Sequence, residues 1–161
     1  MMEKIIICLG IFLALAVSRF VPHPPNFTSL IALSFYVPAI FGRQYIPAVI
    51  LSFAITDLVI GYHYGTFFTW GSVLLIGLIS NYFGKTLIKR LSGALVGAII
   101  FFIVTNFGVW ISGMYEYSLN GIISCYTAAI PFFAYSTLST ILFSFLIEIF
   151  YKVYHFKIAR Q

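Results

Sequence analysis

Two polar residues lie inside otherwise apolar stretches of the chain, where each needs a polar partner. Asp57 lies in the apolar run 45–61, and Asn106 lies in the run 91–113. A carboxylate or an amide surrounded by hydrocarbon is costly unless it is paired, hydrogen-bonded or hydrated. Asp57 therefore belongs either to a ligand or proton site or to a buried ion pair that fixes helix orientation. Its expected partner is Arg19 or His63.

Aromatic and further polar residues accompany these two positions. Asn106 and Trp110 are four residues apart, on one helix face, and Tyr115, Glu116 and Tyr126 follow. Such a set could stack a flat, partly polar molecule and orient it through hydrogen bonds. Trp and Tyr also collect at membrane surfaces without binding a ligand, and that alternative stays open. The candidate ligand-binding residues are Arg19, His23, Asn26, Asp57, His63, Asn106, Trp110, Tyr115, Glu116 and Tyr126.

The segment that carries His23 and Asn26 is stiffened by proline. Pro22, Pro24 and Pro25 lie within four positions, and they favour an extended, non-helical conformation. This segment could serve as a rigid cap over the mouth of the bundle, or it could contact a ligand directly.

The arrangements typical of enzymes are missing from the sequence. There is no histidine pair at helical ligand spacing, no nucleophile elbow and no pair of carboxylates close in sequence. We therefore expect no enzymatic activity, no catalytic residue and no cofactor. His23, Asp57, His63 and Cys125 could converge on a transition metal, but their spacing does not require one. We predict no metal site and keep metal binding as an alternative.

The composition indicates that lipid is the solvent. Of the 161 residues, 61% are hydrophobic and only 8% are charged, too little polar material to cover a soluble domain. We expect an all-α fold, a polytopic membrane helix bundle that forms a single domain over residues 1–161. The net charge of +5 is attributed to topology and to phospholipid contacts, so we do not expect nucleic acid as a partner.

Six apolar segments are expected to cross the membrane: 4–18, 26–41, 45–61, 67–83, 91–113 and 122–151. Lysine and arginine lie almost entirely in alternate gaps, and only Arg19 lies in the others. By the positive-inside rule, both termini are cytoplasmic and the protein is a multi-pass protein of the inner (plasma) membrane. Segment 26–41 is the weakest span, because it would be about 24 Å long as a helix and contains Pro38. A re-entrant segment is the alternative.

Small residues recur at helical spacing in two segments. Gly10, Ala14 and Ser18 lie four residues apart, and Gly93 and Gly97 form a similar face in the fifth segment. Such faces let another helix approach closely in lipid. For the first segment, both packing inside the bundle and docking to a partner subunit remain open. The same segment imitates a signal peptide, so its cleavage is a further alternative.

Four motifs occur in order between residues 23 and 133. They are HPPNFT at 23–28, TDLVIGYH at 56–63, TNFGVW at 105–110 and CYTAAIPFF at 125–133. Together they resemble an uncharacterised bacterial family of small integral membrane proteins, except that Thr56 stands where a serine is expected. That family is in turn distantly similar to the substrate-binding S components of energy-coupling-factor transporters.

The resemblance implies about six helices, an outward-opening pocket and a first helix that docks to a transmembrane coupling subunit, which works with ATPases. We interpret the chain as a membrane-embedded, substrate-binding subunit for uptake of a small, vitamin-like molecule. The alternative is a non-transporting structural or assembly subunit of a membrane complex, whose polar residues only lock helices together.

The charge distribution predicts which loops are accessible from outside the cell. In a background without Cys8 and Cys125, a cysteine replacing Ser118 should react with an impermeant thiol reagent in intact cells. A cysteine replacing Ser92 should react only after permeabilisation. The opposite labelling pattern would contradict the predicted orientation.

Overall fold

The computed structural model describes residues 2–84 and 86–158, and these fold into seven α-helices without a β-strand. The predicted all-α class is confirmed. The helices are α1 (Met2–Phe20), α2 (Leu30–Phe41), α3 (Ile46–Ile60), α4 (Thr66–Ile79), α5 (Leu87–Val109), α6 (Leu119–Ala128) and α7 (Ile130–Ile158). Short 3₁₀ turns at Arg43–Tyr45 and Ser80–Tyr82 precede α3 and follow α4, and a π-helical turn at Trp110–Met114 extends α5.

Each of the first five apolar segments forms one helix, whereas the sixth is divided into α6 and α7. The division lies at Ala129, whose N–H is shared between the carbonyl oxygens of Cys125 and Tyr126, both at 3.2 Å. Pro131 follows in the first turn of α7, a position at which a missing N–H costs little. The interruption of the sixth segment therefore comes just before the proline.

Within the described residues, three stretches are long and apolar enough to cross a membrane: Arg43–Ile60, Leu87–Met114 and Ile130–Val153. At 1.5 Å per residue, the 12 residues of α2 reach only about 18 Å, less than the roughly 30 Å of a bilayer core. Helix α4 is also short, with 14 residues. Six complete spans and the position of the termini remain predictions.

The short helix α2 forms the centre of the molecule. Every residue from Leu30 to Pro38 is buried, and α2 contacts α3, α4, α5 and α7. Its aromatic side chains fill the interior, with Phe35 and Tyr36 in edge-to-face contact at 5.5 Å between ring centroids. A helix that is buried all round has no need to span the bilayer itself, because its neighbours separate it from lipid.

The glycines of α5 allow it to lie close to this centre. A Cβ atom at Gly93 would lie 2.3 Å from Phe35 Cζ and 2.6 Å from Phe83 Cγ, and one at Gly97 would lie 3.1 Å from Ile76 Cγ2. Any larger residue at Gly93 would displace these rings. The predicted close-approach face of α5 is thus confirmed as internal packing.

Helix α1 lies on the edge of the bundle, against α2 and α3. An apolar groove, floored by α2, separates it from α7. Two cavities of about 560 and 690 Å³ follow this groove and share Leu33, Ile147 and Phe150 in their linings.

Candidate functional site

A buried ion pair joins the ends of α1 and α3. Arg19 Nη1 lies 2.7 Å from Asp57 Oδ1, and the two side chains are 13% and 3% exposed. The second carboxylate oxygen, Oδ2, accepts a hydrogen bond from Trp70 Nε1 at 2.8 Å. Arg19 rather than His63 is therefore the partner of Asp57, and both carboxylate oxygens have partners. The pair connects three helices, because Trp70 belongs to α4.

The guanidinium of Arg19 is held in place by further contacts of the same nitrogen. Nη1 also donates to Thr56 Oγ1 and, at 3.3 Å, to the carbonyl oxygen of Phe53. The Arg19 guanidinium carbon lies 4.4 Å from the centroid of the Phe53 ring, a cation–π contact. These contacts fix the orientation of the guanidinium plane.

Two adjacent cavities open at this end of the bundle. One, of about 360 Å³, is lined mainly by α5, α6 and α7. The other, of about 300 Å³, is lined mainly by α1, α2 and α3 together with residues of the loops that follow α1 and α3. Both linings include Asn26, His63, Thr69 and Phe101. We refer to them as the aromatic lobe and the arginine lobe of one pocket, which we call the outer pocket because the charge distribution predicts that this end of the bundle faces outward. Each lobe alone would hold only a small molecule, since ligand pockets usually measure about 300 to 1,000 Å³.

Six predicted site residues line this pocket. Asn26 and His63 contribute to both lobes, Asn106 and Tyr115 line the aromatic lobe, and Arg19 and His23 line the arginine lobe. They come from three separate parts of the chain: residues 19–26, residue 63 and residues 106–115.

The other four predicted site residues, Asp57, Trp110, Glu116 and Tyr126, line neither lobe. Asp57 is enclosed by its ion pair, and Tyr126 donates to the carbonyl oxygen of Ile103 at 2.7 Å. Trp110 Nε1 donates to the Glu116 carbonyl oxygen at 2.9 Å, while the Glu116 side chain is exposed. The contacts of Trp110, Glu116 and Tyr126 hold α5, the following loop and α6 together.

The aromatic lobe also contains residues that the sequence did not single out. Phe102 and Phe133 pack with 4.7 Å between ring centroids, and Thr105 and Ser136 add hydroxyl groups. Cys125, considered above only as a metal candidate, lies in the same lining. Thr105 and Ser136 could have been found as hydroxyl residues inside apolar runs, whereas the phenylalanines carry no signal that separates them from the core.

Asn106 has lost part of its capacity to contact a ligand. Its Nδ2 donates to the carbonyl oxygen of Phe102 at 2.7 Å, one turn earlier in α5. The amide is thus partly satisfied within its own helix, although the side chain still lines the aromatic lobe. Its carbonyl oxygen is the group that can accept a hydrogen bond from a ligand.

The two histidines have defined hydrogen-bonding roles. His63 Nδ1 accepts from the Gly65 N–H at 3.1 Å, so the neutral ring carries its proton on Nε2. Both nitrogens of His23 lie near carbonyl oxygens, Nδ1 at 2.7 Å from Pro24 and Nε2 at 3.3 Å from Arg19. A ring nitrogen that carries a proton donates to the carbonyl oxygen that it faces.

The proline-rich segment positions Asn26 by a tight turn. The N–H of Phe27 donates to the Pro24 carbonyl oxygen at 3.0 Å, and Asn26 itself has a φ of +62°. Asparagine tolerates this left-handed conformation better than most residues. The segment is therefore an ordered turn that delivers Asn26 to the junction of the two lobes.

The small residues of α1 have divided roles. Ser18 packs inside the molecule, where its Oγ lies 2.8 Å from Ser29 Oγ and accepts the Ser29 N–H at 3.1 Å. Gly10 and Ala14 are exposed and line the groove between α1 and α7. A Cβ atom at Gly10 would have no atom within 4 Å. Internal packing therefore explains the small residue at Ser18, but it does not explain the small residues at Gly10 and Ala14.

A second buried ion pair was not predicted. Arg90 in α5 binds Glu148 in α7 through both carboxylate oxygens, with Nε at 2.6 Å from Oε1 and Nη2 at 2.7 Å from Oε2. Both residues are buried, at 8% and 3% exposure. An acid between Ile147 and Ile149 was the available signal, since an acid in such a run needs a partner.

The metal alternative gains no support from the geometry. No group of three or more histidine, cysteine or acidic side chains able to hold a metal ion occurs among residues 2–84 and 86–158. His63 and Cys125 line the same lobe, but Asp57 is enclosed by its ion pair.

Residues 1–160 match the sequence model described as "Family of unknown function (DUF6580)". The chain belongs to this family. The predicted membership of an uncharacterised family is thereby confirmed. No curated protein and no solved structure matches the chain.

The ion pair at the pocket predicts a specific effect on stability. Asp57→Asn keeps the side-chain volume and removes the charge, which leaves a largely buried Arg19 without its counter-ion. Breaking one partner of a buried pair typically costs about 3 to 5 kcal/mol, so the melting temperature in detergent should fall by many degrees. Glu116→Gln, which removes an exposed charge, is the control and should melt like the wild type. An unchanged melting temperature for Asp57→Asn would show that the pair is not structural.

Proposed function

We propose that the protein captures a small molecule in the outer pocket, as the substrate-binding subunit of an uptake system. The observation that supports this proposal is that six of the ten candidate ligand-binding residues line two adjacent cavities that share part of their lining. Residues that only lock helices together would have no reason to share an open cavity of this size. Both lobes lie at the end of the bundle that the charge distribution places outside the cell.

The pocket suits a flat molecule with a few polar groups. Phe101, Phe102 and Phe133 provide aromatic surface, and Asn26, Thr105 and Ser136 provide hydrogen-bonding groups beside it. Asp57 orients Arg19 in this proposal and does not contact the ligand itself. Release of a bound molecule inward would require the helices below the pocket to move.

We propose that a separate partner supplies the energy for uptake, as it does for the S components that this chain distantly resembles. We propose that such a partner contacts α1 at Gly10 and Ala14, the exposed small residues along the groove. The distant similarity to S components points to the same helix. In lipid, small residues of this kind permit close helix contact.

A structural role in a larger membrane complex is the second candidate. The observation that favours it is that both buried ion pairs have extensive internal partners and join helices to one another. The two candidates differ in whether the outer pocket is occupied in the protein purified from its own membrane.

Filling the aromatic lobe tests the pocket. Ala128 lines this lobe, whereas Ala134 in α7 is exposed and belongs to neither lobe, so Ala128→Phe and Ala134→Phe form a matched pair. Native mass spectrometry in mild detergent should find a small molecule bound to the wild type and to Ala134→Phe. Ala128→Phe should lose it, since a phenyl group would occupy the space. If neither the wild type nor the control carries a small molecule, the structural role becomes the better explanation.

A bulky residue on α1 tests the partner contact. Ala14→Leu should reduce co-purification of an energising membrane partner from the native host at least several-fold. The melting temperature of the isolated protein should change little, because Ala14 is exposed in the groove. Ala134→Leu, on the exposed face of α7, is the control. A lower melting temperature with unchanged co-purification would assign Ala14 to internal packing instead.

A further inference from the structure

The guanidinium of Arg19 is only partly used by the protein. Its contacts with Asp57, Thr56 and Phe53 all involve Nη1. Nε and Nη2 make no hydrogen bond or ion pair with the residues that the structure describes. Arg19 lines the arginine lobe, and 13% of its side-chain surface remains accessible. The side chain is therefore anchored by one nitrogen and keeps an unused edge next to an open cavity.

The unused edge is the one that binds carboxylates side-on. Nε–H and one hydrogen of Nη2 point in parallel and match the two oxygens of a carboxylate. The same molecule contains an example, because Arg90 binds Glu148 through Nε and Nη2 at 2.6 and 2.7 Å. At Arg90 the Glu148 carboxylate fills this edge, whereas at Arg19 the residues that the structure describes supply none.

The remaining lining of the arginine lobe is compatible with an anion. It contains His23 and His63, together with Asn26 and Thr28, and no aspartate or glutamate among the described residues. The one nearby acid, Asp57, lies on the Nη1 side of the guanidinium, and both of its oxygens already have partners. A cationic ligand would be repelled by the positive charge of Arg19, and the described lining offers it no free carboxylate to pair with.

We infer that the molecule captured in the outer pocket is an organic anion whose carboxylate is bound by Nε and Nη2 of Arg19. Its body, flat and largely apolar, extends past Phe101 into the aromatic lobe. This assignment rests on the proposed function and adds to it the charge and the chemical class of the ligand. Asp57 is then a positioning residue, since it orients Arg19 without touching the ligand.

Three probes with one ring and different charges test the assignment: benzoate, benzamide and benzylamine. Binding to the purified full-length protein in detergent is measured by saturation-transfer NMR. Benzoate should bind at least tenfold more tightly than benzamide, and benzylamine should bind most weakly. Equal or tighter binding of benzylamine would overturn the inference, and this result needs no variant.

Arg19→Lys tests the role of the guanidinium edge. Lysine keeps a positive charge opposite Asp57 but lacks the planar pair of donors. Benzoate affinity should fall tenfold or more, whereas the benzamide affinity should change less. Arg43→Lys, at an exposed arginine outside the pocket, is the control and should bind like the wild type. Unchanged benzoate binding in Arg19→Lys would also overturn the inference.

The outcomes separate this inference from the proposed function. If a neutral or cationic small molecule occupies the pocket and is lost in Ala128→Phe, the proposed function stands and the carboxylate assignment fails. If a phospholipid is recovered and benzoate displaces it, the group bound by Arg19 is a lipid phosphate. This result also overturns the assignment of the ligand as a small organic acid. If no probe binds and no small molecule is recovered, both proposals fail.

Discussion

Burial of the Asp57 carboxylate beside Arg19 is the interaction on which the outer end of the bundle depends. An isolated charge in this environment would be strongly destabilising, so the pair must form and must be hydrogen-bonded. Thr56, Trp70 and the Phe53 carbonyl oxygen complete it, and they draw α1, α3 and α4 together. The arginine lobe lies next to this pair, because Arg19 belongs both to the pair and to the lining of the lobe.

The second ion pair illustrates a different use of the same chemistry. Arg90 and Glu148 form a side-on pair, in which both carboxylate oxygens accept hydrogen bonds, and this pair joins α5 to α7. The Tyr36 ring from α2 is buried close by, and its hydroxyl lies beside Ser144 and Glu148 without a hydrogen bond of normal geometry. Arg19, by contrast, contacts the protein through Nη1 and keeps its Nε–Nη2 edge open. A closed pair holds helices together, and an open pair can also bind a ligand.

Six of the ten candidate ligand-binding residues line the two cavities, and their roles in ligand binding stay predictions. Arg19, His23, Asn26 and His63 were chosen because they share one side of the predicted topology, and they meet at the arginine lobe. Asp57 was predicted to need a partner because burying its charge is energetically costly, and Arg19 is that partner. The free-energy cost of burying a carboxylate does not show whether its partner is a ligand or a neighbouring helix, because either one can pair with it.

Composition and periodicity were sufficient to determine an all-α chain with apolar helices, because a hydrophobic chain of this kind must satisfy its backbone hydrogen bonds within helices. The positions of the first five helices also follow from the sequence, since each apolar run is bounded by charged, proline or glycine residues. Only the tertiary structure placed α2 at the centre, because its short length is compatible with either a re-entrant or a buried helix. Only the tertiary structure paired Arg90 with Glu148, because 58 residues separate them and no local pattern links them. The unused edge of Arg19 was likewise decided in three dimensions, since it depends on which nitrogen the neighbouring helices reach.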